Sequence, residues 1–151
     1  MMTIQLLIFV IFVFTTFFHN GAQAYIHLEA YPLLAYVGRT EFATYLKEYE
    51  QRLTLPLLVA YGVMLLCNLI LIATQPPTMP VAWLIVALVI NMAVSAVTAV
   101  VATPVYNRIK EAGQAAGGDM EALMRINSLR LLLSSLSSLI VIYLLLDLLV
   151  V

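Results

Sequence analysis

Four long apolar stretches divide the chain, and each is long enough for a helix that crosses a membrane. The helices predicted from them cover residues 3–31, 55–73, 81–105 and 129–151, to within a few positions. Because about 20 apolar residues in a helix span the hydrocarbon core of a bilayer, this pattern predicts four transmembrane helices. The predicted fold class is therefore all-α, with a four-helix transmembrane bundle that forms a single integral membrane domain over residues 1–151.

Residues 38–53, between the first two stretches, have a different pattern. Their larger apolar side chains recur at helical spacing, which predicts an amphipathic helix that lies at the membrane interface. Five tyrosines of this region are interpreted as an interfacial aromatic belt. The stripe consists of Phe42, Tyr45, Leu46, Tyr49 and Leu53, and the belt of Tyr25, Tyr31, Tyr36, Tyr45 and Tyr49.

Proline and glycine residues predict where the helices end. Pro32 is expected to stop the first helix, because proline disfavours helical geometry in the residue before it. Three prolines within residues 75–80 predict a short turn between the second and third spans. Residues 106–128 form a second inner segment, in which the third helix is expected to run to about Ala116 before Gly117 and Gly118 end it.

Composition confirms that the chain needs a membrane. Of its 151 residues 64% are hydrophobic and 10% are charged, and the mean hydropathy is +1.03. A soluble domain could not cover its surface with so few charges, so the lipid bilayer is the first partner that composition indicates. The net charge of -1 argues against nucleic acid as a partner. Cys67 is the single cysteine, which excludes an intramolecular disulfide and a metal site built from several cysteines.

The basic residues determine the predicted orientation. All seven fall in two stretches, the first with Arg39, Lys47 and Arg52 and the second with Arg108, Lys110, Arg125 and Arg130. Because lysine and arginine accumulate in cytoplasmic loops, the two stretches are expected in the cytoplasm. The N-terminus, the proline turn and the C-terminus are then expected outside.

Candidate chemistry begins with His19, Gln23 and His27 on the first helix. Their i, i+4, i+8 spacing places them on one face, and the predicted orientation puts that face in the inner leaflet. Polar groups at such depth need partners. One interpretation is a hydrogen-bonded bundle core, and the other is a ligand pocket that opens to the inner leaflet. A metal site is the weaker alternative, because Gln23 separates the histidines and the HExxH motif is absent; no metal is predicted.

A second polar group is expected at the inner ends of the spans. It contains Arg130, which could bind an acidic or carbonyl ligand. Alternatively, arginines at span ends reach lipid headgroups and anchor the helix. The sequence assigns no catalytic residue and no cofactor. The candidate ligand-binding residues are His19, Gln23, His27, Arg52, Asn107, Arg108, Asn127 and Arg130.

Two segments carry a resemblance to known proteins. The segment from Tyr31 to Phe42, YPLLAYVGRTEF, which continues to Arg52, resembles a group of small uncharacterised four-span bacterial membrane proteins. Residues 123–130, LMRINSLR, look like that group's start of the last span. A more distant similarity is to the DUF1772 superfamily, which includes anthrone-oxygenase-like proteins. Ser128 stands where an aromatic residue is expected, so the resemblance implies the fold and a bacterial inner (plasma) membrane but not the activity.

Two functions of different classes remain open. The first is a non-enzymatic bundle that acts as an accessory or structural subunit, with other membrane subunits or a second copy as partners. Short loops and small-residue helix faces favour it. The alternative is a cofactor-independent oxygenase, or a binder, of a hydrophobic ring compound such as a quinone or polyketide-like molecule. His19, Gln23 and His27 would then lie near the ligand and Arg130 would orient it.

Overall fold

The computed structural model describes residues 3–115 and 117–150, with Val150 described by its backbone alone. Within these ranges it contains four long helices and no strand. These are α1 (Thr3–Leu34), α2 (Arg39–Thr74), α3 (Val81–Ala112) and α4 (Gly118–Val150). All four are long and apolar enough to cross a membrane, which confirms the all-α prediction and supports a multi-pass membrane protein. Met1, Met2, Ala116 and Val151, which the predicted boundaries include, lie outside the described residues.

The helices form a ring in which each contacts the helix before and after it. α1 packs against α2 and α4, and α3 packs against the same two helices. The connections are short and lie between Leu34 and Arg39, between Thr74 and Val81, and between Ala112 and Gly118. Short connections place successive helices antiparallel, so the bundle runs up and down in sequence order. All lysine and arginine residues consequently lie at one end of the bundle, here called the basic end.

Apolar side chains fill the bundle in two clusters and also cover its outside. One cluster lies towards the proline turn and includes Phe9 and Leu144, and the other lies at the basic end and includes Phe42 and Leu123. On the outside, many leucine, valine and phenylalanine side chains are exposed, among them Val100 at 73%. Such a continuous apolar exterior matches lipid as its solvent.

Three helices contain a π turn, and each of these turns comes just before a proline. Proline lacks an N–H, and in a regular helix its ring clashes with the carbonyl four residues earlier. A π turn widens the helix and accommodates one extra residue, which relieves that clash. The expectation that Pro32 ends the first helix is therefore wrong, because α1 passes the proline and continues to Leu34. The pairs are Ile26–Ala30 with Pro32, Glu50–Thr54 with Pro56, and Thr98–Ala102 with Pro104.

The predicted amphipathic segment is helical, but it is the first part of α2 rather than a separate helix. It begins at Arg39 after the extended Gly38 and continues through the π turn into the second span. Phe42 and Leu46 are fully buried in the cluster at the basic end. The apolar stripe thus packs partly on the protein itself, and its predicted position at the membrane interface stays a prediction.

α3 ends earlier than the sequence predicts, at Ala112. Gly113 follows in the left-handed conformation with φ of 65°, which glycine adopts without a steric penalty, and its N–H bonds to the Lys110 carbonyl. The predicted extension to about Ala116 is therefore wrong. Asp119 lies in the first turn of α4 and pairs with Arg108 at 2.7 Å, which connects the ends of α3 and α4.

Candidate functional site

A cavity of about 400 Å³ lies inside the basic half of the bundle, at the level of the three π turns. All four helices line it, and Ile26, Thr54 and Thr98 bring the π turns themselves into its wall. π turns recur at functional sites because the widened backbone re-aims nearby side chains. The remaining lining residues are His19, Gln23, Tyr31, Tyr49, Leu57, Leu58, Tyr61, Val94, Ser95, Ala99, Ala102, Thr103, Tyr106 and Arg130.

The cavity opens sideways between α2 and α3. The lining residues that are exposed lie on these two helices: Thr54 and Leu58 on α2, and Ala99 and Thr103 on α3. The lining side chains of α1 and α4 are buried or half-buried. For a bundle that spans a bilayer, this opening faces the lipid rather than the loops at either end.

His19 and Gln23 form the α1 wall of the cavity. His19 is 7% exposed and Gln23 is 3% exposed, and the Gln23 Nε2 lies 3.2 Å from the His19 Nε2. The His19 ring also contacts the Tyr61 ring, with 4.8 Å between the ring centres. The i, i+4 spacing in the sequence thus gives a real side-chain pair, and Tyr61 continues it towards α3.

Arg130 is the cationic residue of the cavity wall. It is half-buried and near enough to His19, Tyr31 and Tyr49 to interact electrostatically with each. Its Nε is buried and has no hydrogen-bond partner in the described part of the chain. No aspartate or glutamate is among the residues that line the cavity. The guanidinium therefore faces neutral groups.

Two other predicted site residues lie near this wall without lining the cavity. Asn127 is fully buried, and its Nδ2 donates to the Gln23 carbonyl at 3.4 Å. The Asn127 Oδ1 and the His27 Nδ1 are both buried without a partner within residues 3–115 and 117–150. Asn127 thus fixes α4 against α1 directly behind Gln23, whereas His27 lies two turns beyond His19 and outside the cavity.

Three further predicted site residues lie on the surface of the basic end. Arg52 pairs with Glu48 at 2.8 Å, as the i, i+4 spacing favours, and Arg108 pairs with Asp119. Asn107 is exposed. The structure therefore brings His19, Gln23 and Arg130 to one cavity. It leaves Arg52, Asn107 and Arg108 outside that cavity.

Sequence reasoning did not identify the tyrosines of the cavity. Tyr31 and Tyr49 were assigned to the interfacial belt, and Tyr61 and Tyr106 were assigned no role, yet all four line the cavity. Tyr31 directly precedes Pro32, and Tyr106 comes two residues after Pro104. A proline within an apolar helical stretch, with a tyrosine beside it, was the signal that could have located the cavity.

In the described ranges no three His, Cys, Asp or Glu side chains come together to hold an ion. His19 lines the cavity whereas His27 does not, so the two histidines do not share a site.

Comparison with known proteins identifies no relative of this chain. No family model matches the chain, and neither a curated protein nor a solved structure matches it. The resemblance to the DUF1772 superfamily stays a prediction.

Proposed function

We propose that this membrane protein binds a hydrophobic ring compound in the cavity and takes it up sideways from the bilayer. The observation that carries the proposal is the opening between α2 and α3, whose exposed rim includes Leu58 and Ala99. The volume of about 400 Å³ is within the range of small-molecule sites, which are concave and largely apolar with a few polar groups.

The lining favours a ring over a simple chain. Five aromatic side chains face the cavity, from three different helices, and aromatic faces bind flat rings through offset stacking and edge contacts. Apolar surface makes up most of the lining, so the polar atoms would orient the ligand rather than solvate it. The five are His19, Tyr31, Tyr49, Tyr61 and Tyr106.

Orientation is part of the proposal. The concentration of lysine and arginine at the basic end supports a cytoplasmic position for that end. The resemblance to small bacterial four-span proteins implies a bacterial inner membrane. The N- and C-termini and the proline turn are then outside. With this sidedness the cavity lies in the inner leaflet, where a membrane-soluble compound on the cytoplasmic side would reach it.

The two functions predicted from the sequence relate to this cavity in different ways. A cofactor-independent oxygenase would bind its substrate there, so binding is the step that both ligand functions share. An accessory subunit would instead cover the opening between α2 and α3 with a helix of its partner. The two functions therefore predict different occupants of the cavity and its opening in protein purified from its own membrane: a small molecule or a helix of a partner.

Native mass spectrometry of the protein purified with its native lipid tests this directly. Ala99→Trp should fill the mouth of the cavity, whereas Ala96→Trp changes another exposed alanine of α3 that does not line the cavity. We expect an aromatic compound to remain with the wild type and with Ala96→Trp and to be lost from Ala99→Trp. Equal retention by both variants, or a stoichiometric protein subunit in place of any small molecule, would contradict the proposal.

A further inference from the structure

We infer that the ligand carries an acidic group, so that it is a hydrophobic anion, and that Arg130 binds this group. The inference rests on the proposed function and specifies the chemistry of the ligand at the same site. It starts from the charge balance of the cavity wall.

The positive charge of Arg130 has no counterpart in the cavity. An arginine side chain cannot lose its proton in a protein, so its charge persists when it is moved away from water. A charge that is partly buried without a partner is unfavourable, and proteins pair such groups as a rule. Arg130 forms no ion pair with any described carboxylate, and its neighbours in the cavity are tyrosine hydroxyls and His19.

Three carboxylates of the basic end pair with basic residues other than Arg130. Glu48 pairs with Arg52 and Asp119 pairs with Arg108, both on the surface. Glu50 is the acidic side chain that approaches the cavity, since it interacts with Tyr106, but its carboxylate pairs with Lys110 at 2.8 Å. Because no described carboxylate pairs with Arg130 and none lines the cavity, the anion that would balance it is supplied from outside the bundle.

The shape of the cavity allows such an anion to reach Arg130. The opening is apolar on the α2 side at Leu58, and Arg130 lies on α4, across the cavity from that opening. A molecule that entered head first would place its acidic group at the guanidinium and leave its apolar part among the aromatic rings. The planar fork of a guanidinium suits a carboxylate or a phosphate through two parallel hydrogen bonds.

The required acidic group has two sources: a free ring acid dissolved in the bilayer, which also suits the aromatic lining, or the headgroup of an anionic phospholipid, which suits Arg130 alone. Both place a negatively charged oxygen acid beside an apolar body. Anionic phospholipid can be added to or left out of a test bilayer. Whether it competes with a free ring acid for the site therefore distinguishes the two sources.

Calorimetric titration of the full chain in nanodiscs of phosphatidylcholine tests the inference with naphthoate and naphthalenemethanol, which share a ring and differ in charge. The wild type should bind naphthoate about tenfold more tightly than the alcohol, a ratio that corresponds to about 1.4 kcal/mol. Arg130→Gln should abolish this preference by weakening naphthoate about tenfold, while the alcohol changes by less than about twofold. Arg130→Lys should retain part of the preference because the charge remains.

Arg125→Gln is the matched control, because Arg125 lies on the same helix, is exposed and does not line the cavity. It should leave the preference for naphthoate unchanged. Nanodiscs that contain phosphatidylglycerol identify the source. Competition with naphthoate supports the lipid headgroup as the acid, and an unchanged affinity supports a free acid.

Failure of the inference and failure of the proposed function give different results. Equal affinity of the wild type for the two probes, or a preference that survives in Arg130→Gln, would overturn the acidic ligand and leave ring binding intact. Binding of neither probe would overturn both.

Discussion

The Tyr61 hydroxyl lies 2.7 Å from the Ser95 hydroxyl, and this contact joins α2 to α3. The same tyrosine hydroxyl donates to the Asn91 carbonyl at 2.5 Å. Both residues of the pair line the cavity, and the two helices that they join are the ones between which it opens. The hydrogen bond therefore holds the wall of the cavity together where the helices would otherwise separate most easily.

Tyr61→Phe should destabilise the bundle. The change keeps the ring beside His19 and removes both hydrogen bonds to α3, so we expect the free energy of unfolding to fall by about 1–2 kcal/mol, the usual net value of two partly buried hydrogen bonds. Denaturant or thermal unfolding in detergent measures it. Tyr143→Phe is the control, since Tyr143 is exposed on α4 and contacts Trp83 through its ring. An equal loss in both variants would show that the link has no special role.

Deletion of Val100 should leave the bundle folded but close the cavity wall. The π turn Thr98–Ala102 contains one residue more than a regular helical turn, so removal of a residue there lets the helix continue without a change of register. Val100 is 73% exposed, and its loss costs little packing. We expect a folded but less stable protein that no longer binds the ring compound, because Pro104 then clashes with the carbonyl four residues earlier, at a cost of about 3 kcal/mol.

Deletion of Val89 is the control for this experiment. Val89 is also exposed on α3, but it lies in the regular part of the helix. Its removal rotates every later residue by about 100° and turns the buried side chains away from the core, so that variant should not fold. Intact binding after deletion of Val100 would contradict a role for the π turn in shaping the cavity.

Asn127→Leu should be close to neutral for stability. The Asn127 amide makes one long hydrogen bond to the Gln23 carbonyl, and its Oδ1 has no partner in the described ranges. Leucine is an apolar group of similar size. It removes the desolvation penalty of the unpaired amide oxygen together with the one hydrogen bond of the amide. The midpoint of thermal unfolding reports the result. A loss of more than about 2 kcal/mol would show that the amide is better satisfied than the described contacts indicate.

The basic end should be cytoplasmic. In a Cys67→Ser background, a cysteine at exposed Pro77 of the proline turn should react with an impermeant maleimide added to intact cells. A cysteine at exposed Lys47 should react after lysis alone. The expectation follows from the preference of lysine and arginine for cytoplasmic loops. The opposite labelling pattern would invert the proposed orientation and move the cavity to the outer leaflet.

The sequence was sufficient for the helices but not for their ends at proline and glycine. Apolar stretches of span length leave helices as the only economical structure in lipid, so the four helices follow from composition and spacing. The path of the chain through Pro32 depended on a π turn, because a proline in an apolar stretch either ends a helix or follows such a turn. The end of α3 at Ala112 depended on which of two nearby glycines ends the helix. Gly113 and Gly117 both adopt the left-handed conformation, and Gly113 comes first along the chain.

The site was partly predictable for a related reason. His19 and Gln23 share a helix, so their spacing alone gives their proximity. Arg130 lies on another helix, and its approach to them depends on how α4 is rotated in the bundle, which packing decides. Arg52 and Arg108 are arginines at the same end of the molecule as Arg130. Ion pairs with Glu48 and Asp119 hold them at the surface instead of in the cavity.

The most direct test of the central claim is an experimental structure of the protein purified from its native membrane. We predict density for a ring compound between Tyr49 and Tyr106, with an acidic group at hydrogen-bonding distance from the Arg130 guanidinium. A cavity closed by its own side chains, or an opening between α2 and α3 covered by a helix of another subunit, would contradict the account.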